Sequence, residues 1–250
     1  MTGLAVPGLV LTEPEPGIYE LVLDRPRHRN ALTEEMMRAL GTVAERVNLD
    51  RRASALIVRG AGGSFCAGAD LSVVDERRRA DEPWRWPPLM GREADLLADC
   101  EVATIAVVDG AAVGLGMGLA LGCDVCVMEP QGYFAEAHLA LGLTPTAMCW
   151  WLPRMAGLQR AGDIVLTGRR VYGEEAVGIG LAARLAGRGD GRSLAMEVAR
   201  EVAAKPPVMS RFAKLALRLA QDQPRMTEVR RFGALANRLH RSLHPPVEGS

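Results

Sequence analysis

The sequence predicts a layered α/β domain that gives way to a helical C-terminal region, and three observations carry the prediction. Short apolar, β-prone runs alternate with segments of helical periodicity through the first part of the chain, which is the pattern of parallel strands joined by crossover helices. Two glycine-rich segments, Gly62-Gly63-Ser64-Phe65-Cys66-Ala67-Gly68-Ala69-Asp70-Leu71 and Gly110-Ala111-Ala112-Val113-Gly114-Leu115-Gly116-Met117-Gly118, each follow such a run and lead toward a helix. After Gly157 the strand-like runs cease, and the remaining half reads as all-helical.

The elements follow in order. Ile18 to Leu23 alternates and reads as a strand, which Asp24-Arg25-Pro26 breaks. Thr33 is placed to cap a helix, Glu34 and Glu35 suit its positive first turn, and Met36, Leu40, Val43 and Val47 form its apolar stripe. Ala55 to Val58 is a short buried strand running into the first glycine loop. Leu71 to Met90 is charged and carries Trp84-Arg85-Trp86-Pro87-Pro88, read as a surface excursion. A helix over 90–100, a strand over 104–108, a helix over 114–121 and a strand over 124–128 complete the alternation. Helices then begin near Gly157 and run over about 192–204 and 207–220, split by Pro206-Pro207, with a third over about 224–241. Residues 1–190 are expected to form the core and 191–250 the helical region.

Composition narrows the functional classes. Thirty basic and thirty acidic side chains cancel, so nothing in the net charge recruits nucleic acid or a membrane surface. The stretch from Val102 to Met128 is apolar enough to suggest a membrane span, but Asp109, Asp124 and many glycines favour a buried strand–turn–helix–strand. No basic segment followed by an apolar run marks a secretory leader, and five cysteines suit reduced thiols, so a cytoplasmic location is expected. Cys123 and Cys126 make a CxxC, but no second pair or nearby histidine accompanies it. The expectation is two small buried hydrophobes and no metal site.

The glycine loops match neither a dinucleotide fingerprint, since Leu119 stands where its last glycine belongs, nor a P-loop, since no GKS or GKT occurs. Glycine also permits tight turns and close packing alone. Two such loops can further aim one backbone N–H each at a single point, where an enolate or tetrahedral oxyanion would sit. Preorganised donors of this kind contribute about 10²–10³ in rate each.

In collinear order over about residues 9–235, the motifs resemble the enoyl-CoA hydratase/isomerase (crotonase) family. They comprise Arg25-Pro26-Arg27-His28-Arg29-Asn30-Ala31-Leu32, Phe65 to Leu71, Gly110 to Asp124, Leu141-Gly142-Leu143-Thr144-Pro145, Leu152-Pro153-Arg154, Leu166-Thr167-Gly168 and Pro206 to Leu217. The resemblance implies a crotonase-like spiral of β-β-α units with a C-terminal helical trimerisation region. It also implies acyl-CoA thioesters as ligands, with coenzyme A arriving as part of the substrate and no separate cofactor, and a homotrimer or dimer of trimers. Carried over by position, the N–H groups of Ala69 and Leu115 would form the oxyanion hole. Main chain around Arg27, His28 and Arg29, and around Cys66, Ala67 and Gly68, would line the coenzyme A path, and Asp70 would order its loop.

The acid positions depart from the family pattern. The two hydratase glutamates fall on Gly118 and His138, and an acid found in some isomerases falls on Thr146. Hydration needs both a base for water and an acid for the α-carbon, each worth about 10²–10⁴, so the usual hydratase route does not follow. His138 is the candidate substitute as proton carrier, since a free imidazole titrates near pH ~6.5; the other reading is a buried, hydrogen-bonded histidine that only lines the pocket. Glu136, two residues earlier, shares its face if the segment is extended and could orient the ring. Gly114, Gly118, Thr146 and Trp150 are expected to line the acyl pocket, with Trp151 in the core. Arg211, Lys214 and Arg218 share one helical face, read as solvated. The alternative to an enzyme is an acyl-CoA-binding protein that has shed its acids, and decarboxylation or thioester hydrolysis would need the oxyanion hole more than an acid–base pair.

Overall fold

The structure, a computed structural model, describes residues 6–72, 97, 100–141 and 145–222. The Trp84/Trp86 insert, nearly all of the expected 90–100 helix, and the run over 224–241 lie outside the described residues. Strand β1 (Leu9–Glu15) buries Leu9, is mostly exposed beyond it, and pairs antiparallel with β2 (Ile18–Leu23), whose six residues are all buried. From β2 onward the large sheet is parallel, through β3 (Ala55–Gly60), β4 (Ala103–Val108), β6 (Val125–Met128) and β9 (Arg184–Leu185). Strands β2, β3, β4 and β6 are buried on both faces, which is why they read as near-continuous apolar runs.

Helix α1 (Glu34–Leu49) covers one face. The Thr33 hydroxyl accepts the Met36 N–H at its start, and Met36, Leu40, Val43 and Val47 are all buried. Helix α6 (Gly191–Ala203) closes the opposite face, packing Ala195, Val198 and Ala199 on Ile57, Ile105 and Val127.

A second sheet is built from β5 (Ala111–Val113), β7 (Tyr133–Ala135) and β8 (Val171–Tyr172). The chain steps from β4 in the large sheet to β5 in the small one and then enters α2 (Leu115–Leu121). It repeats the step from β6 to β7 before α3 (Thr146–Ala156). This is the expected spiral of β-β-α units. The step at Asp109-Gly110 requires glycine, because a Cβ on Gly110 would sit 2.1 Å from the Gly63 carbonyl oxygen. That same crowding presses the two glycine loops together.

Two expectations need correction. The half after Gly157 is not all-helical: between α4 (Leu158–Thr167), α5 (Gly173–Gly178) and α6, the two-residue strands β8 and β9 complete the two sheets. Strands this short carry no readable periodicity, and pairing alone defines them. The second correction concerns α7 (Pro207–Asp222), whose basic stripe is not solvated. The Lys214 ammonium is buried, donating to the Val102 carbonyl at 2.8 Å and pairing with Asp124 at 2.8 Å. Arg211 donates to the carbonyls of Asn48 (2.9 Å) and Asp50 (2.8 Å), and Arg218 to the Gly122 carbonyl (3.1 Å) and the Asp124 carboxylate (2.8 Å). The helix docks by satisfying carbonyls at the C-terminal ends of α1 and α2, where cations are favoured.

Among the described residues, no helix is long and apolar enough to cross a membrane, and no group of three metal-ligating side chains converges. Cys123 and Cys126 are buried, and burial pushes the Cys126 thiol up to about 12 and the Cys123 thiol higher still.

Candidate active site

The first loop is fixed from below by a residue that the sequence reading quoted without giving it a role. Asn30 is fully buried in a left-handed conformation (φ 58°), which asparagine tolerates better than most residues. Its Oδ1 accepts the Arg25 N–H at 2.9 Å, and its Nδ2 donates to the carbonyls of Ala61 (2.8 Å) and Ser64 (2.7 Å). Arg25 in turn pairs with Asp70 at 2.9 Å and donates to the Ala31 carbonyl. Asp70 also accepts the Ser72 hydroxyl and N–H, and those bonds with Arg25 hold its carboxyl below the usual range. Asp70 therefore orders the loop.

Leu32 donates to the Gly68 carbonyl at 2.8 Å and accepts the Asp70 N–H at 2.9 Å. In this parallel bridge Ala69 stands opposite Leu32 while its own N–H turns the other way. The second loop locks onto the first through Cys66, whose N–H donates to Ala111 and whose carbonyl accepts the Val113 N–H, both at 2.9 Å. Gly68 (φ 98°) and Gly114 (φ 53°) bring the two loops to closest approach. A Cβ on Gly68 would lie 2.9 Å from the Val113 carbonyl oxygen and 3.7 Å from the Leu115 nitrogen. Leu115 opens α2, so its N–H has no intrahelical acceptor. Among the described residues, neither the Ala69 nor the Leu115 N–H has an acceptor.

Both residues border a cavity of about 430 Å³. Aliphatic side chains, including Leu71, Val113, Ala140 and Leu141, make most of its wall. His138 enters from the segment after β7, and its ring lies over Gly114: a Cβ there would meet the imidazole Cε1 at 3.2 Å and Nε2 at 3.9 Å. The imidazole thus stands beside the residue that precedes the Leu115 N–H.

Glu136 is buried, and Oε1 of its carboxylate accepts the His138 backbone N–H at 2.8 Å and lies against the ring Nδ1. The pairing does not come from a shared strand face. Strand β7 ends at Ala135, and the Glu136 side chain meets the backbone and ring of His138 within a local turn. The Glu136 Oε2 is buried without a partner among the described residues. Glu136 thus engages Nδ1 and leaves Nε2 as the ring nitrogen it does not touch.

The other candidates divide. His28, Ala67, Gly68 and Gly114 line the cavity with Ala69, Leu115 and His138. Arg27, Arg29 and Cys66 do not line it. Arg27 is exposed in a 3-10 turn over Pro26–His28, the Arg29 carbonyl accepts the Ala67 N–H at 2.9 Å, and the Cys66 thiol accepts the Gly68 N–H at 3.4 Å. The last two brace the loop. Gly118 is buried inside α2, where its N–H bonds to the Gly114 carbonyl, and it does not reach the lining. Thr146 opens α3. Trp150 is 38% exposed and carries the Arg154 guanidinium 4.1 Å over its ring, outside the lining, while Trp151 is buried. The position of Trp150 follows from α3 presenting it outward, which the sequence spacing alone left open.

Comparison with known proteins bears on this geometry. The family model described as enoyl-CoA hydratase/isomerase matches residues 13–242. A Thermus thermophilus protein carrying an enoyl-CoA hydratase name is 32% identical over 230 residues, covering 91% of this chain and 90% of that one. The human enoyl-CoA hydratase domain-containing protein 2, mitochondrial, is 33% identical over 213 residues, covering 83% and 73%. The crystal structure of an enoyl-CoA hydratase from Bacillus anthracis superposes with a TM-score of 0.85 at 26% identity, over 92% of this chain and 90% of that one. A monofunctional enoyl-CoA isomerase from M. smegmatis superposes at 0.76 with 27% identity, over 89% and 97%. From the two glycine loops to the spiral fold that holds them, the chain belongs to the enoyl-CoA hydratase/isomerase family.

Proposed function

We propose that the protein is an acyl-CoA enzyme that polarises a thioester carbonyl between the Ala69 and Leu115 N–H groups and moves one proton through Nε2 of His138. The observation that carries this reading is the meeting, on one cavity, of one carboxylate-bound imidazole and two backbone donors that have no acceptor among the described residues. The thioester carbonyl gains negative charge as the α-proton leaves, and donors fixed in advance stabilise that charge without reorganising. His138 takes the proton on Nε2, and Glu136 balances the imidazolium that results. Gly118 supplies no second carrier, so the reaction is a single-base one: a double-bond shift, in which the imidazole returns the proton to another carbon, or exchange at the α-carbon. Coenzyme A enters as part of the substrate past His28, Ala67 and Gly68, and no further cofactor takes part. A homotrimer or dimer of trimers belongs to the same reading, with light scattering as its check.

The test is His138→Ala. Deuterium exchange or double-bond migration on enoyl-CoA substrates should fall about 10²–10⁴-fold, with acyl-CoA affinity kept. Unchanged turnover would remove His138 from the mechanism. Saturable binding with no turnover on any thioester, in the parent protein, would make the chain a binding protein.

A further inference from the structure

We infer that the same site also hydrolyses thioesters, with water as the nucleophile and Glu136–His138 as its general-base pair. The inference rests on the placement of the thioester given above. Three features of the chain point to it. First, Glu136 is buried, accepts from His138 through Oε1 alone, and keeps Oε2 unpartnered among the described residues. An unshared buried carboxylate behind an imidazole is the arrangement that fixes the ring tautomer and steadies an imidazolium. Second, the ring lies on Gly114, directly before the Leu115 donor, so the base stands beside the carbonyl group that the oxyanion hole would grip. Third, the His138 side chain is 20% exposed and lines the cavity, so the imidazole is open to a ligand or water there.

The chemistry balances with a single proton carrier. Water adds to the thioester carbon while Nε2 takes one of its protons, and the carbonyl electron pair moves onto the oxygen held by the Ala69 and Leu115 N–H groups. The pair returns, the carbon–sulfur bond breaks, and the imidazolium gives its proton to the departing thiolate. The products are a carboxylic acid and the free thiol, and no oxidant or other reactant is needed. Proton addition across a double bond asks for an acid and a base together, whereas this step asks for one imidazole acting twice. The substrate class is an uncharged aliphatic acyl thioester, since the described wall is mainly Ala, Leu and Val.

Butyryl-CoA is the probe, because a saturated chain can be neither hydrated nor isomerised. Thiol release is followed colorimetrically in heavy-oxygen water, and α-carbon exchange is followed separately in deuterated water. The expected result is thiol release with one heavy oxygen in the butyrate, lowered at least about 100-fold in His138→Ala. Glu136→Gln, which keeps an acceptor for Nδ1 but loses the charge, should lower kcat about tenfold or more and alter its pH profile while KM holds. Exchange without thiol release would overturn hydrolysis and leave the proton-transfer reading standing. Thiol release that persists in His138→Ala would overturn the role given to the pair. Binding of butyryl-CoA with neither exchange nor release would overturn hydrolysis, while the proton-transfer reading is decided by the enoyl-CoA test above.

Discussion

Gly114 carries more of the site than any charged residue near it. Its backbone (φ 53°, ψ −116°) is one that side-chain-bearing residues avoid, and the His138 ring occupies the space above it. Gly114→Ala should therefore cost about 1–3 kcal/mol in stability from backbone strain. It should also lower turnover by at least tenfold by displacing the imidazole, and denaturant unfolding run beside kinetics would separate the two effects. A variant with normal stability and normal turnover would show that the ring position is not fixed by this contact. At this scale the sequence was partly legible. It pointed to His138 by position and to Glu136 as a partner, and the two do meet. The route is a local turn that no periodicity signals. Asn30 was quoted within a motif, yet its three bonds to residues 25, 61 and 64 depend on chain segments brought together only by folding.

Helix α7 illustrates how an element can mislead. Its Arg211, Lys214 and Arg218 fall on one face, and the spacing alone says only that the face is charged. The structure turns that face inward onto backbone carbonyls and Asp124. Lys214→Ala should lower unfolding stability by about 1–3 kcal/mol, since it leaves the buried Val102 carbonyl without its donor. Arg218→Ala should cost less, about 1 kcal/mol, because Asp124 keeps Lys214 and Thr104. Equal, negligible losses in chemical unfolding would restore the solvated reading of this helix. The strands β2, β3, β4 and β6 were legible as apolar runs because they are buried on both faces. Strands β8 and β9, two residues each, exist only because a neighbouring strand accepts them.

The whole molecule carries its pH dependence in charged pairs, one set joining distant segments and one local. Burial would raise the Glu20 carboxyl, but Arg192 and Arg59 together hold it low, joining β2 to α6 and β3. Asp50 is held to about 2, chiefly by Arg52. Unfolded, such groups titrate near ~4, so the unfolded chain binds more protons in acid. Stability should be complete above about pH 5 and fall as pH drops toward ~2. Tyr19, pushed up to about 12 by burial and by Asp50, works in the opposite sense. Its contribution is present below ~10 and lost as pH rises through about 12. Thermal unfolding across pH tests both limbs, and Tyr19→Phe should flatten the alkaline one. A stability curve level down to pH ~3 would contradict the acid-side linkage.

By itself the sequence determined strands β2, β3, β4 and β6 and helices α1 and α2 in their order, the two glycine loops and the family. These are properties of spacing and residue type, which the chain carries wherever it goes. The tertiary structure decided what faces what: that α7 turns its charges inward, that Trp150 stays outside the cavity lining, and that Glu136 lies behind His138 with one oxygen unshared among the described residues. Those outcomes depend on which carbonyls, rings and apolar faces arrive at the same place. Contacts between residues far apart in the chain are set by the packing of whole layers and leave no local periodicity to read.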